Sequence, residues 1–98
     1  MEIEIQSIHF DADKSLLEFV NKRVEKLGTF YNRIIDAEVY LKMEDTASLE
    51  NKIAEVKLNL PGEQLFAKDT SKSFEESIDN SVESVRRQLK KFKEKNSH

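Results

Sequence analysis

The chain of 98 residues contains no cysteine and no tryptophan, one proline, two glycines and two histidines. Without cysteine there is no disulfide, no thiolate nucleophile and no thiolate metal site, which is compatible with a reducing cytosol. The two glycines, Gly28 and Gly62, cannot supply a P-loop or a dinucleotide fingerprint. The histidines are His9, after the first predicted strand, and His98, the last residue; neither has a neighbouring motif of partners, and HxxxH or CxxC spacing is absent. Asp11 and Asp13 resemble the opening of a calcium loop, but the glycine and the distal glutamate that such a loop needs are missing. The expectation is a protein that is not an enzyme and uses no cofactor, metal or small-molecule substrate. No apolar run approaches the length of a membrane span. The opening MEIEIQSIHF has neither a basic n-region nor an apolar h-region, so no secretory signal is expected. The predicted setting is cytoplasmic, away from membranes.

Charge is what the chain has in quantity. Charged residues make up 36% and hydrophobic ones 38%, with a formal net charge of −3. The length predicts one domain, 1–98, with an ordered core over about 1–95. Its most informative stretch is Ser73 to Lys95, SFEESIDNSVESVRRQLKKFKEK. Phe74, Ile78, Val82, Val85, Leu89 and Phe92 recur at steps of four, four, three, four and three, one stripe of an α-helix. Ser73 with Glu76 three residues on forms a capping box that marks its start. Glu75, Glu76, Asp79 and Glu83 occupy the first half; Arg86, Arg87, Lys90, Lys91, Lys93 and Lys95 occupy the second. Such polarity offsets the helix macrodipole. Six bases in ten positions exceed that need, and Arg86, Arg87, Lys90, Lys91 and Lys93 fan across the side opposite the apolar stripe. Their pattern fits either a solvated face or a polyanion site. A net negative balance is not the usual footprint of a nucleic-acid binder, but the distribution of charge matters more than its sum.

The rest of the chain divides cleanly. Glu2 to Gln6 alternates as a half-buried strand does. Asp13 and Ser15 are candidate N-caps, Ser15 with Glu18 as a possible capping box. A helix is predicted over Lys14–Leu27, with Leu16, Leu17, Val20, Val24 and Leu27 as its stripe and Gly28 as a left-handed C-terminal cap. Lys22, Arg23 and Lys26 share one flank, with Glu18 and Glu25 farther round. Phe30 and Tyr31 in the following connection suit core plugs or loop anchors. Ile35, Ala37, Val39, Leu41 and Met43 define the buried face of a second strand. Thr46 to Asn51 forms a hairpin loop before a third strand, Lys52–Leu60. Pro61-Gly62 makes a tight turn with glycine supplying positive φ. Leu65 to Ala67 forms a shorter fourth strand ending near Asp69. The order β-α-β-β-β-α predicts an α+β two-layer sandwich: strands two to four as an antiparallel meander, strand one parallel to strand two through the helical crossover, and both helices on one face.

With these residues in place, the chain resembles the ribosome hibernation-promoting factor family, which includes the ribosome-associated inhibitor A proteins and was once called sigma-factor modulation proteins. The similarity covers essentially the whole chain. Its most specific part is the last helix, with Ile78-Asp79, then Arg87-Gln88-Leu89 followed by Lys91, Lys93 and Lys95. Glu18-Phe19-Val20, Lys26-Leu27, Tyr31, Arg33-Ile34 and Lys42 form a second matching block. The resemblance implies a bacterial, non-enzymatic inhibitor of translation that acts in stress or stationary phase. It would bind the decoding region of the small ribosomal subunit through ribosomal RNA, in the whole ribosome, and exclude messenger and transfer RNA. It also implies a fold like a double-stranded-RNA-binding domain, with contacts to shape and phosphate. Carried to matching positions, Arg23, Lys26, Arg33, Lys42, Arg87, Lys91, Lys93 and Lys95 are the expected contacts; Lys22, Arg86 and Lys90 are added by the charge pattern alone. The chain resembles the short form, without the dimerisation domain of long members, and Ser84 stands where a base is common. Short forms promote ribosome pairing together with a separate small partner.

A rival reading is a protein-interaction module that engages a protein partner through a sheet edge or the acidic first half of the last helix. Binding that depends weakly on salt distinguishes it from phosphate recognition. Free double-stranded RNA is a third partner class, disfavoured because no extra basic surface is supplied for a bare duplex.

Overall fold

A computed structural model describes residues 1–96; His98 lies outside the described residues. The elements are β1 (Glu2–Ile8), α1 (Lys14–Phe30), β2 (Asp36–Met43), β3 (Lys52–Leu60), β4 (Glu63–Ser71) and α2 (Phe74–Lys95). The sheet runs β1-β2-β3-β4, with β1 parallel to β2 and the other neighbours antiparallel. Both helices pack on one face, giving the expected two-layer α+β sandwich.

Strand alternation sorts the side chains. Ala37, Val39 and Leu41 of β2, Ala54, Val56, Leu58 and Leu60 of β3, and Leu65 and Ala67 of β4 are buried beneath the helices. They meet Val20, Val24 and Leu27 of α1 and Phe74, Ile78, Val85 and Leu89 of α2 in one core, with Ile3 and Ile5 partly covered at its edge. Fully burying each of the Val, Leu, Ile and Phe side chains contributes about 1.5–3 kcal/mol of transfer free energy, so the period-two and helical stripes specify the register together. Two buried residues of α2 are polar. Ser81 donates from Oγ to the Ala54 carbonyl at 3.1 Å, and Ser77 to the Phe74 carbonyl at 3.2 Å. Their small side chains let α2 lie close to β3, and neither hydroxyl is left unpaired.

The turns follow their chemistry. Gly62 takes φ 78° in the β3–β4 hairpin, where a side chain would be strained. His9 also adopts positive φ, 63°, where the chain leaves β1. The Ser73 side chain accepts the Glu76 amide at 3.1 Å and starts α2 as expected.

Several boundaries differ from the sequence expectation. Asp13 alone caps α1, accepting the Leu16 amide at 2.8 Å; Ser15 is already helical, so no Ser15–Glu18 box forms. Gly28 does not end α1. The helix continues to Phe30, with Tyr31 as an extended C-cap whose amide reaches the Leu27 carbonyl. Tertiary anchoring accounts for this: Tyr31 packs edge-on against Phe92 of α2, with ring centroids 5.9 Å apart. Strand β4 reaches Ser71 because it pairs with β3 along its whole length. Ile35 and Met43, at the ends of the predicted inward stripe, are 57% and 50% exposed, beyond the helices' cover. Leu17 is also exposed, on the outer margin of α1.

Candidate nucleic-acid interface

Helices α1 and α2 run parallel. Arg23 meets Asp79, and seven residues on in both helices Phe30 meets Arg86. The topology requires this, because each helix follows a strand of the same direction and returns antiparallel to it. The basic half of α2 therefore lies beside the C-terminal half of α1. One end of the helical layer collects Lys26, Arg86, Arg87, Lys90, Lys91, Lys93 and Lys95, with Arg33 in the connection that follows α1. The acidic Glu75, Glu76 and Asp79 lie toward the other end.

Phe30 organises the junction. The Arg86 guanidinium sits 5.4 Å and the Lys93 ammonium 5.0 Å from its ring centroid. Lys93 Nζ also donates to the Phe30 carbonyl at 3.3 Å. The last turn of α1 contains no base of its own, and Lys93 supplies from α2 the positive charge that the α1 C-terminus favours. Arg23 donates from Nε to Asp79 Oδ1 at 2.7 Å and stacks 4.4 Å from the Phe19 centroid. Arg86 also pairs with Glu83 at 3.6 Å on its own helix. A shallow groove lined by Arg23, Lys26, Asp79, Glu83 and Arg86 marks the seam between the helices.

The predicted bases thus fall into two groups. Arg23, Arg86 and Lys93 are tied to protein partners. Arg87, Lys90 and Lys91 line an open concavity on the β4 side of α2, together with Ser84, Gln88 and Glu94. Among the described residues, no carboxylate lies within ion-pair distance of these three, nor of Lys26, Arg33 or Lys95. Gln88 donates to the Phe66 carbonyl of β4 at 2.9 Å and fixes the rotation of this flank.

One expected member sits elsewhere. Lys42 projects from the sheet face that the helices leave open and pairs with Glu55 at 3.0 Å. Alternation on β2 puts it there, opposite the buried Leu41. Lys22 shares the expected flank of α1 with Arg23 and Lys26, and it also borders, with Glu18 and Glu25, a groove over Ile3 and Ile5 on the β1 side. Glu25 shares the flank of Lys22 and Lys26 rather than lying farther round.

The open sheet face has its own electrostatics. Asn59 donates to both Asp36 and Glu38, the latter at 3.0 Å, and the Tyr40 hydroxyl donates to Glu38 at 2.8 Å. These bonds, the Asn59 bond first, hold the Glu38 carboxyl below its ordinary value, against partial desolvation and with Lys57 assisting. The same bond to Glu38, followed by partial burial and the charges of Glu38, Glu4 and Glu55, pushes the Tyr40 phenol up.

Sequence reasoning missed Phe30 as the cation platform, Asp79 and Glu83 as partners of the bases, and Gln88 as a brace. Phe30, Asp79 and Gln88 depend on the register between α1 and α2 or between α2 and β4, which periodicity within one helix does not encode; the Glu83–Arg86 pair is an i, i+3 contact that spacing along α2 alone could have shown. Among the described residues, no helix is long and apolar enough to cross a membrane, and no group of three His, Cys, Asp or Glu residues could hold a metal ion.

Known proteins share this architecture. The fold matches a ribosomal subunit interface protein from Coxiella burnetii with a TM-score of 0.84 at 20% identity, over 95% of this chain and 98% of that one. It matches the N-terminal domain of Thermus thermophilus Protein Y with a TM-score of 0.80 at 20% identity, over 94% and 99%. A Pseudomonas putida protein named ribosome hibernation promoting factor is 27% identical over 95 residues, 97% of this chain and 89% of the relative. A Klebsiella oxytoca protein of the same name is 26% identical over 95 residues, 97% and 96%. The family model described as sigma 54 modulation protein / S30EA ribosomal protein matches residues 3–97, and the chain belongs to that family.

Proposed function

We propose that this protein is a ribosome hibernation factor of the cytoplasm, which silences translation by occupying the small subunit through ribosomal RNA. The observation that carries this reading is the cluster of Arg87, Lys90 and Lys91 on the β4 side of α2, without carboxylate partners among the described residues, in the basic half of the second of two parallel helices. The names borne by relatives of similar length point to the same process. Free bases on a rigid helix exchange water for phosphate without first breaking a protein ion pair, and the fixed spacing of a helix suits a fixed backbone path. Among the described residues, no aromatic lines the concavity of Arg87, Lys90 and Lys91, which favours phosphate and shape over base identity.

A body of 49 × 24 × 18 Å held in the decoding region overlaps the space that messenger and transfer RNA need. Inhibition is then steric, and no group on the protein has to perform chemistry. Lys42 contributes only if its side chain leaves Glu55, and it faces away from the helical cluster.

The test is co-sedimentation of the purified chain with bacterial ribosomes at low and high salt, alongside a cell-free translation assay. Co-migration with small subunits and whole ribosomes that falls as salt rises, with matching loss of translation, supports the reading. A shift to heavier particles adds pairing to it. Protein left at the top of the gradient under all conditions refutes it.

A further inference from the structure

We infer that the free edge of β1 is a docking site for an extended peptide strand that alternates basic and apolar residues. This surface is separate from the basic helical cluster and does not rest on the ribosome reading. Among the described residues, strand β1 pairs only with β2 and forms one edge of the sheet. Half of its backbone donors and acceptors therefore point outward, the arrangement that added strands use. The opposite edge differs: on β4, Gln88 from α2 occupies the Phe66 carbonyl, and Leu65 and Ala67 are buried beneath the helix.

The two rows of side chains along β1 specify the partner. On the helix side, Ile3 and Ile5 are only partly buried and share an open groove with Leu17, Glu18, Asn21 and Lys22 of α1. Leu17 is one of the few large apolar residues left exposed, at 37%. A strand placed against β1 sets every second side chain over Ile3, Ile5 and Leu17, where apolar residues gain most. On the other face, Glu2 and Glu4 are exposed and are backed in register by Asp36 and Glu38 of β2. These carboxylates line a second concavity along the same edge. Intervening side chains of an added strand fall beside this acidic file, so lysine or arginine at alternate positions complements it.

The same file argues against a second copy of this chain. Antiparallel self-pairing of two β1 edges with Ile3 and Ile5 inward brings two such files onto one face, with no base of β1 between them. Like charges across strands are destabilising. The edge repels itself and favours a basic strand.

The full chain, labelled with nitrogen-15, tests this by NMR titration with capped heptapeptides. One alternates lysine and valine, one alternates glutamate and valine, and one is the lysine peptide with a central proline. The lysine peptide should shift the amides of Glu2–Ile8, Leu17 and Asn21 and leave α2 unmoved; the other two should bind far more weakly. In Glu2→Lys/Glu4→Lys, the lysine peptide should lose affinity on the order of tenfold while the glutamate peptide gains. Leu17→Gln should weaken the lysine peptide without altering amide shifts elsewhere. The inference is overturned by unmoved β1 amides, by equal binding of the two alternating peptides, or by indifference to the double charge reversal. Shifts at β1 that depend on protein concentration alone would give the edge to a second copy and overturn it equally.

Discussion

Replacing Arg87, Lys90 and Lys91 together by glutamine isolates the free part of the basic surface. Glutamine matches lysine and arginine in helix propensity to within a few tenths of a kcal/mol, so α2 is retained. All three side chains are exposed, and Lys93 and Lys95 remain in the last turn to offset the macrodipole. Each phosphate contact contributes a salt slope of about −0.7 to −0.9, so removing three contacts should lessen the slope by roughly 2–3. At about 0.1 M monovalent salt that corresponds to roughly 100- to 500-fold weaker binding, converging with the parent as salt approaches about 1 M. The assay is ribosome binding by co-sedimentation or fluorescence anisotropy across a salt series, with circular dichroism to verify the fold. Equal slopes for variant and parent would show that these residues touch no phosphate, and the assignment of this flank would fall. Arg23→Gln provides the internal contrast. A phosphate must first displace Asp79 from Arg23, so the loss of binding should be smaller. Its stability cost should be about 0.5–1 kcal/mol in urea unfolding, from a half-exposed ion pair and a ring contact.

Three further outcomes test the fold that holds this surface. Ser81→Ala should cost about 1 kcal/mol in chemical unfolding through the lost bond to the Ala54 carbonyl, and Ser81→Leu about 1–3 kcal/mol by overpacking where α2 approaches β3. Gly28→Ala should stabilise by about 0.5–1 kcal/mol, because the position is helical. The new Cβ meets only the mobile end of Met1, at 3.3 Å, and a loss of stability would reinstate a special backbone role for this glycine. Because the Glu38 carboxyl is held below its ordinary 4.5, its contribution to stability is present above that pH and disappears as pH falls through the lowered folded value. The Tyr40 phenol is raised above 10.0, so its contribution holds below that pH and is lost as pH rises through the raised value. Carboxyl NMR and ultraviolet titration follow the two groups, and Asn59→Ala should return Glu38 toward its ordinary value; no movement would refute the hydrogen-bond cause.

The elements were legible because each carries its own period. Alternation in β2 and β3, the six-residue stripe of α2 and the Pro61-Gly62 turn are statements about one segment, and burial follows from them at the middle of each element, though not at ends such as Ile35 and Met43. Failures came where a second segment decided. Gly28 reads locally as a helix end, yet Tyr31 finds Phe92 on α2 and the helix runs on. Leu65 to Ala67 is a short apolar run, but β3 offers partners as far as Ser71. The candidate site divides the same way. Sequence located every base, while the pairing of Arg23 with Asp79 and the capping of α1 by Lys93 follow from the parallel helices. Strand alternation sends Lys42 to the sheet face opposite the helices, where it pairs with Glu55, a placement that matching residues one by one does not state.

The net negative charge does not weigh against a phosphate partner once its location is known. Acids concentrate at the N-terminal end of α2, where the helix dipole favours them, and on the open sheet face beside β1. The free bases lie at the far end of α2, on the other layer. Since screening confines each surface to neighbours within about 8–10 Å at physiological salt, a phosphate docked on Arg87, Lys90 and Lys91 responds mainly to local positive charge. The remote acids still oppose wrong orientations, because turning the molecule end for end would place Glu75, Glu76 and Asp79 against the polyanion. Polarity of this kind orients one docking mode and penalises its reverse, which a uniformly basic domain could not do.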